Sequence, residues 1–153
     1  MTSSHPAPPL VAGSPDEAMA AVRARGMRVS AARRLLIEAL FAADGPVTAD
    51  ELAAGLGGSV SASDPASVYR NLERLESIGL VRHVHLGHGP GLYALAGRIA
   101  AGYVVCDRCG ARRAAADGDL EAVRAAVRER FGYEASFTHF PIVGLCPDCA
   151  RSP

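Results

Sequence analysis

The stretch DPASVYRNLERLESIG, residues 64–79, indicates the fold of this 153-residue chain most directly. Asp64 followed by Pro65 is typical of a helix N-cap and first turn. Apolar residues then recur at helical spacing until Gly79, which predicts a buried stripe formed by Val68, Leu72, Leu75 and Ile78. The opposite face of this helix carries polar side chains, namely Ser67, Tyr69, Arg70, Asn71 and Arg74.

The flanking sequence predicts three helices before this one and a hairpin after it. A helical pattern starts at Asp16, Ser30 is an N-cap for a second helix, and Thr48 with Glu51 forms a capping box for a short third helix. Residues 80–86 and 91–95 are typical of two strands joined by a Gly-rich turn. This order predicts a winged helix-turn-helix domain over residues 16–96. The Pro-rich residues 1–15 are predicted to be a disordered tail.

The second half of the chain is marked by its only four cysteines, Cys106, Cys109, Cys146 and Cys149. Two pairs with two-residue gaps are typical of a closed tetrahedral zinc site, which holds structure and leaves no ligand position open for chemistry. Two reduced thiol pairs or two disulfides are the alternatives. Residues 110–145 between the pairs are long enough for whole strands and a helix.

We therefore predict an α+β protein in which the winged helix is followed by a small α/β module closed by zinc. Residues 97–102 are a plausible hinge, and the module spans residues 103–153. Its predicted elements are strands at 103–105 and 112–115, a helix over 119–131, and a strand over 133–143.

Composition narrows the class of protein. No apolar run reaches the ~18 residues of a membrane span, and the first residues lack a secretory signal pattern. We therefore expect a cytoplasmic protein with no membrane partner, in which metal is favoured over disulfides. The net charge is zero, so a general nucleic-acid-coating role is not supported, but five Arg and no acidic residue lie between Arg23 and Arg34.

Several motifs together resemble the ferric uptake regulator family. Residues 25–30, RGMRVS, followed by Arg33, are similar to its first-helix signature, and SVYRNL at 67–72 is similar to its recognition-helix motif, with Ser in place of the usual Thr. CDRCG at 106–110 and GLCPDC at 144–149 resemble its two structural-zinc knuckles. The resemblance covers about residues 18–150 and implies a homodimeric, metal-responsive repressor that binds double-stranded operator DNA.

The resemblance also implies roles for individual residues. Tyr69 and Arg70 would enter the major groove with support from Ser67, Arg28 would reach into the minor groove, and Arg33 would hold a phosphate. The chemical types of these side chains suit those contacts.

The chain departs from the family at the main regulatory metal site. The family's His-rich stretch before the first knuckle is replaced here by residues 99–103, IAAGY, and Pro46 stands where the winged-helix His is expected. A second family site, which uses a carboxylate after the first knuckle, has no ligand within residues 112–116.

The remaining histidines resemble those of the nickel-uptake regulator branch of the family. The stretch HVHLGHG at 83–89, together with the later His139, implies a regulatory site made by His83, His85 and His139, with His88 as an auxiliary candidate. Residues at i and i+2 of a strand project to one face, which suits chelation. Imidazole ligands accept Ni²⁺, Zn²⁺ or copper, and nickel or zinc is the expected corepressor.

The resemblance implies that the α/β module forms the dimer. The site would then join the predicted hairpin of the winged helix to this module and so set the spacing of the two recognition helices in a dimer. The first alternative is a repressor of the same family that has lost metal sensing and acts constitutively or through thiol oxidation. The second is a zinc enzyme that uses the His cluster, for which Glu134 is the nearest candidate base. We expect no enzymatic activity.

Overall fold

The computed structural model describes residues 7–86, 89–135, 137 and 141–152. The chain divides into two compact units. The first comprises Met1–Val84 and Gly91–Ile99, and the second comprises His85–Pro90 and Ala100–Pro153. The chain passes between units after Val84, after Pro90 and after Ile99, and the last of these points lies within the interval 97–102 that the sequence suggests as a hinge.

The described part of the first unit contains the helices α1 (Pro15–Ala24), α2 (Ala31–Ala42), α3 (Ala49–Ala53) and α4 (Pro65–Ser77). Each starts after a side chain that accepts a hydrogen bond from a backbone N–H of the first turn, and these caps are Ser14, Ser30, Thr48 and Asp64. The predicted capping box is confirmed, because Glu51 also accepts from the Thr48 N–H at 2.7 Å. Local hydrogen bonding therefore sets where these helices begin.

The wing is a small antiparallel sheet built from β1 (Val47–Thr48), β2 (Val81–Val84) and β3 (Leu92–Leu95) in the order β1-β3-β2. The hairpin of β2 and β3 was predicted from the sequence, although β2 ends before the predicted residue 86. Strand β1 was not predicted, because two residues show no alternation. It becomes a strand through its pairing with β3, where Val47 lies opposite Tyr93.

The segment before α1 corrects the prediction of a disordered tail over residues 1–15 for the part that the structure describes. The Leu10 N–H donates to the Gly79 carbonyl at 2.9 Å, and Leu10 and Ala12 pack against the core. Gly79 permits this approach, because a Cβ there would lie 2.1 Å from the Pro8 carbonyl oxygen, and its φ of +81° suits glycine. The prediction from Pro content did not take into account that Leu10 and Ala12 can pack against the core and order this segment.

The core of the first unit is formed around α4. Its Leu72 and Leu75 are 0% exposed, and they belong to one buried cluster with residues of α1, α2 and the wing, including Val22, Ile37 and Val81. Helix α4 thus carries the predicted apolar stripe inward, and its orientation is fixed by contacts with several elements.

The second unit contains β4 (Gly102–Cys106), β5 (Arg112–Ala115), α5 (Asp117–Phe131), β6 (Ile142–Gly144) and α6 (Pro147–Arg151). Its sheet has the order β5-β4-β6, with β4 antiparallel to β5 and parallel to β6. The α+β architecture predicted from the sequence is confirmed. In the described part of the chain, no helix is long and apolar enough to span a membrane.

The predicted strand over 133–143 is wrong for its first part. Residues 133–135 lie outside any strand, and among the described residues after α5 the strand that pairs with β4 is Ile142–Gly144. Helix α5 ends in the left-handed conformation at Gly132, and Tyr133 is exposed, so no burial holds this segment extended. The short helix α6 was not predicted either, because the sequence suggests only a metal-binding turn there.

We predict that Leu72→Ala lowers the free energy of unfolding of the first unit by about 2–5 kcal/mol, since it removes a fully buried side chain and leaves a cavity. Urea unfolding followed by far-UV circular dichroism measures this. The exposed neighbour Glu73 provides the control, because Glu73→Ala should change stability by no more than about 0.5 kcal/mol. Equal effects of the two changes would contradict the central place of α4 in the core.

Candidate nucleic-acid interface and metal centre

Helix α4 presents two large side chains outward because its apolar stripe is held in the core. Tyr69 is 43% exposed, and Arg70 is also exposed, whereas Val68 between Ser67 and Tyr69 is buried. The helix is capped at Asp64, which accepts from the Ser67 N–H at 2.9 Å. The phenol and guanidinium are thus carried by a firmly packed helix, the arrangement that base reading in a groove requires.

The other predicted DNA contacts come from the loop before α2 and from the first turn of α4. Arg28 is exposed in the loop between α1 and α2, and Ser67 is half-buried. The exposed Arg23, Arg25 and Arg34 are sequence neighbours of Arg28, so this part of the first unit carries several positive charges. Such charges suit contacts with phosphate.

Arg33 occupies a different environment from the other candidates. It is 8% exposed, its Nε–H donates to Asn71 Oδ1 at 3.0 Å, and Nη1 donates to the Arg28 carbonyl oxygen. Burial, and after it the positive charge of Arg74, lower the pKa of Arg33. The phosphate contact suggested for Arg33 stays a prediction, whereas its hydrogen bonds inside the unit are a feature that the sequence did not indicate.

The fold brings the two cysteine pairs together through the parallel pairing of β4 and β6. Cys106 ends β4 and lies opposite Gly144, which ends β6 two residues before Cys146. The next residue, Asp107, donates its N–H to the Gly144 carbonyl at 2.8 Å. Parallel strands end at the same edge of a sheet, so both knuckles start from one place.

The geometry of the four sulfurs fits a metal ion. The candidate ligand atoms of Cys106, Cys109, Cys146 and Cys149 all lie within 4.8 Å of one another, and no disulfide joins them. Cys109 Sγ and Cys146 Sγ are 3.8 Å apart. Ligands at about 2.3 Å from a tetrahedral zinc lie about 3.8 Å from each other, whereas a disulfide needs about 2.05 Å. The donor set and its spacing therefore suit Zn²⁺.

Hydrogen bonds to sulfur favour a thiolate at this site. The Cys109 N–H donates to Cys106 Sγ and the Cys149 N–H donates to Cys146 Sγ, both at 3.5 Å. Backbone N–H groups of Cys109 and Cys146 lower the pKa of Cys106 to about 6. The thiol of Cys146 and burial raise the pKa of Cys149 to about 12. Without a cation, some of the four thiols would thus keep their protons. A divalent ion would favour the deprotonated form of all four sulfurs, because its positive charge offsets the repulsion between thiolates.

The structure contains a further contact between the two cysteine pairs that was not predicted from the sequence. Arg108, inside the first pair, donates through Nη1 to the carbonyl oxygens of Cys149 and Ser152 at 2.8 and 2.5 Å. These carbonyls lie at the end of α6, where helices leave acceptors unsatisfied. An Arg between two cysteines was the only available signal, and nothing in the sequence showed which acceptors it would reach.

The structure describes two of the four histidines considered as regulatory ligands. His83 lies on β2 opposite Tyr93, and the two rings stack with centroids 4.5 Å apart. A Cβ at Gly91 would lie 1.9 Å from His83 Nε2, so a larger residue there would displace the imidazole from this position. His85 follows β2 and is exposed, whereas His88 and His139 lie outside the described residues. Among the described residues, only the four cysteines form a cluster of metal-ligand type.

Glu134, the base considered for an enzymatic alternative, is engaged elsewhere. Its carboxylate accepts from Arg128 Nε and Nη2 at 2.6 and 2.9 Å. These hydrogen bonds lower the pKa of Glu134, which favours the ionised, paired form. Nothing in this pairing marks the carboxylate for proton transfer.

Comparison with known proteins agrees with this architecture. The model of the ferric uptake regulator family matches residues 24–140. The zinc uptake regulation protein of Mycobacterium tuberculosis is 30% identical over 131 residues, which cover 86% of this chain and 98% of that protein. The peroxide operon regulator of Bacillus subtilis is 24% identical over 135 residues, which cover 88% of this chain and 92% of that protein.

A solved structure shows the same fold. The ferric uptake regulator of Helicobacter pylori superposes with a TM-score of 0.69 at 17% identity, covering 91% of this chain and 95% of that one. The family match extends from the end of α1 into the second unit as far as residue 140 and includes the proposed recognition helix and the first cysteine pair. The chain therefore belongs to the ferric uptake regulator family of transcriptional regulators.

Proposed function

We propose that this protein is a metal-responsive repressor that binds double-stranded operator DNA as a homodimer. The observation that carries this proposal is the outward display of Tyr69 and Arg70 on α4, a helix whose other face is fixed in the core. Membership of a family of transcriptional regulators supports it. A dimer would present two such helices to two half-sites of an operator.

In this proposal the exposed residues of the first unit contact the bases and the backbone of the DNA. Tyr69 and Arg70 contact bases in the major groove, and Arg28 enters the minor groove. Ser67 supports the contacts of Tyr69 and Arg70, and Arg33 contributes positive charge toward the phosphates from beneath the same surface. An Arg is well suited to both grooves, because its fork matches guanine edges and its charge is attracted to a narrow minor groove.

Arg70→Ala should weaken binding to the preferred operator by about 1–3 kcal/mol and relax base preference at one position of each half-site. Fluorescence anisotropy with operator variants selected from random DNA measures both effects. Arg130→Ala, which removes an exposed charge from α5, is the control and should bind like the parent. Equal losses on operator and random DNA would show that Arg70 contacts only the backbone.

We also propose that the four cysteines hold one structural Zn²⁺ per chain. The 3.8 Å separation of Cys109 Sγ and Cys146 Sγ supports this assignment. When bound, the ion neutralises the thiolates and joins the two knuckles. Arg108 already links the same knuckles through backbone carbonyls, so the chain's own contacts prepare the site.

Cys106→Ser should release the zinc and destabilise the second unit, because metal binding and folding are coupled. Metal analysis of purified protein and thermal unfolding test this. Asp107→Ala, an exposed change within the same knuckle that keeps all four ligands, should retain the metal. Parent protein containing less than about half an equivalent of zinc, with no disulfide, would contradict the assignment.

For the regulatory metal we propose a site formed by His83, His85 and His139, with His88 as an auxiliary ligand. The sequence resemblance to the nickel-uptake branch supports Ni²⁺, and the similarity to a protein named for zinc uptake supports Zn²⁺. The missing histidines at the family's usual sensor position favour this set. Binding of metal and of operator DNA would then strengthen each other reciprocally.

The double change of His83 and His85 to Ala should abolish the increase in operator affinity on addition of Ni²⁺ or Zn²⁺ while leaving the cysteine zinc in place. His139→Ala should have the same effect, because loss of any ligand breaks a three-ligand site. Operator titrations after mild chelation measure the response. If either variant responds like the parent, the histidines are not the sensor, and constitutive or thiol-dependent repression becomes the better description.

A further inference from the structure

Arg33 and Asn71 are the only polar or charged residues that are buried in the described part of the chain, and they are bonded to each other. Arg33 on α2 is 8% exposed and Asn71 on α4 is 9% exposed. The Arg33 Nε–H donates to Asn71 Oδ1 at 3.0 Å. A buried polar group that loses its partner carries a substantial desolvation cost, so this pair resists separation.

The same network extends to two residues of the proposed DNA surface. Arg33 Nη1 donates to the backbone carbonyl of Arg28, and the Arg33 N–H donates to Ser30, the cap of α2. On the other side, Asn71 Nδ2 donates to the Ser67 carbonyl at 2.9 Å and lies 3.4 Å from its hydroxyl. One guanidinium thus connects the Arg28 loop with the first turns of α4.

We infer that Arg33 is a positioning residue for DNA recognition, which locks the Arg28 loop and the recognition helix α4 into one relative arrangement. This inference rests on the proposed DNA-binding function. Arg28 and Arg70 are assigned to different grooves, so their relative position determines whether both contacts form on one site. Arg33 acts on DNA affinity through these neighbours.

The chemistry of the contacts explains why an arginine stands at this position. Its planar fork sends two N–H groups in different directions from one rigid plane, one to a side-chain amide and one to a backbone carbonyl. Lysine has a single flexible ammonium and lacks this fixed geometry. Both acceptors are neutral, so the guanidinium keeps its positive charge near the DNA surface. A purely phosphate-binding role would not require burial or a buried amide partner.

The test compares Arg33→Lys, Arg33→Ala, Asn71→Ala and the double change of Arg33 and Asn71 to Ala. Each is titrated with operator DNA selected by the parent from a random library, and with random DNA, over a range of salt concentrations. We expect Arg33→Lys to weaken operator binding about 10-fold or more despite its retained charge, with the salt dependence unchanged. Asn71→Ala should reproduce the loss, and the double variant should be little worse than either single one.

A second measurement follows the arrangement itself without DNA. Hydrogen exchange should become faster at residues 26–30 and in α4 of Arg33→Lys, while α5 in the other unit is unchanged. Arg130→Ala serves as the control and should resemble the parent in both measurements, which are made well below the unfolding temperature of every variant.

Three outcomes would overturn the inference. If Arg33→Lys binds like the parent while Arg33→Ala loses affinity for all DNA and shows a weaker salt dependence, Arg33 is a phosphate contact. If exchange and binding are unchanged and only thermal stability falls, its role is confined to the fold. If the parent selects no operator although exchange in Arg33→Lys increases, the proposed DNA-binding function fails and Arg33 merely braces the unit.

Discussion

Burial of the apolar stripe of α4 is the constraint on which the first unit depends. Val68, Leu72 and Leu75 are almost completely buried, and the core around them draws residues from α1, α2 and the wing. Because adjacent helical positions point in different directions, fixing this stripe also fixes where Tyr69 and Arg70 project. The hydrophobic contacts that stabilise the unit therefore also orient the side chains assigned to DNA. Function and stability are linked here by helical geometry.

The second unit has a much smaller hydrophobic core than the first, so a metal bound by its cysteine cluster would add stability that the core does not supply. Among its described residues, those buried by apolar packing are Tyr103, Val105, Cys106 and Leu120. A module of this size seldom obtains enough stability from its core alone, and metals or association commonly supply the remainder. The parallel pairing of β4 with β6 brings both knuckles to one edge, so a metal ion bound there would link the two ends of the segment between them. Val104 and Val143 in this unit are apolar and exposed, and such residues would be available to the homodimer proposed above.

Much of the fold could be predicted from local sequence signals. Caps at Ser30, Thr48 and Asp64 act over a single turn, so their residues identify helix starts without tertiary information. The sequence predicted less of the structure where a segment is ordered by residues far away along the chain. The two residues of β1 form a strand only because β3 is beside them, and Leu10 is ordered by Gly79 and the core. Residues 133–135 had strand-like composition but lie in no strand of the described structure, so the prediction failed there.

The sequence by itself determined the chemistry that is available: four thiols in two pairs, a polar face on one helix, and a stretch before the first cysteine pair, residues 99–103, that contains no histidine. Spacing along the chain is enough for these features, since each is set within a few residues. Only the tertiary structure decided how distant residues meet. It brought the sulfurs of Cys109 and Cys146 to 3.8 Å and gave Arg33 a buried amide partner 38 positions away. These long-range contacts depend on strand order and on the packing of whole helices, which cannot be read from a local sequence pattern.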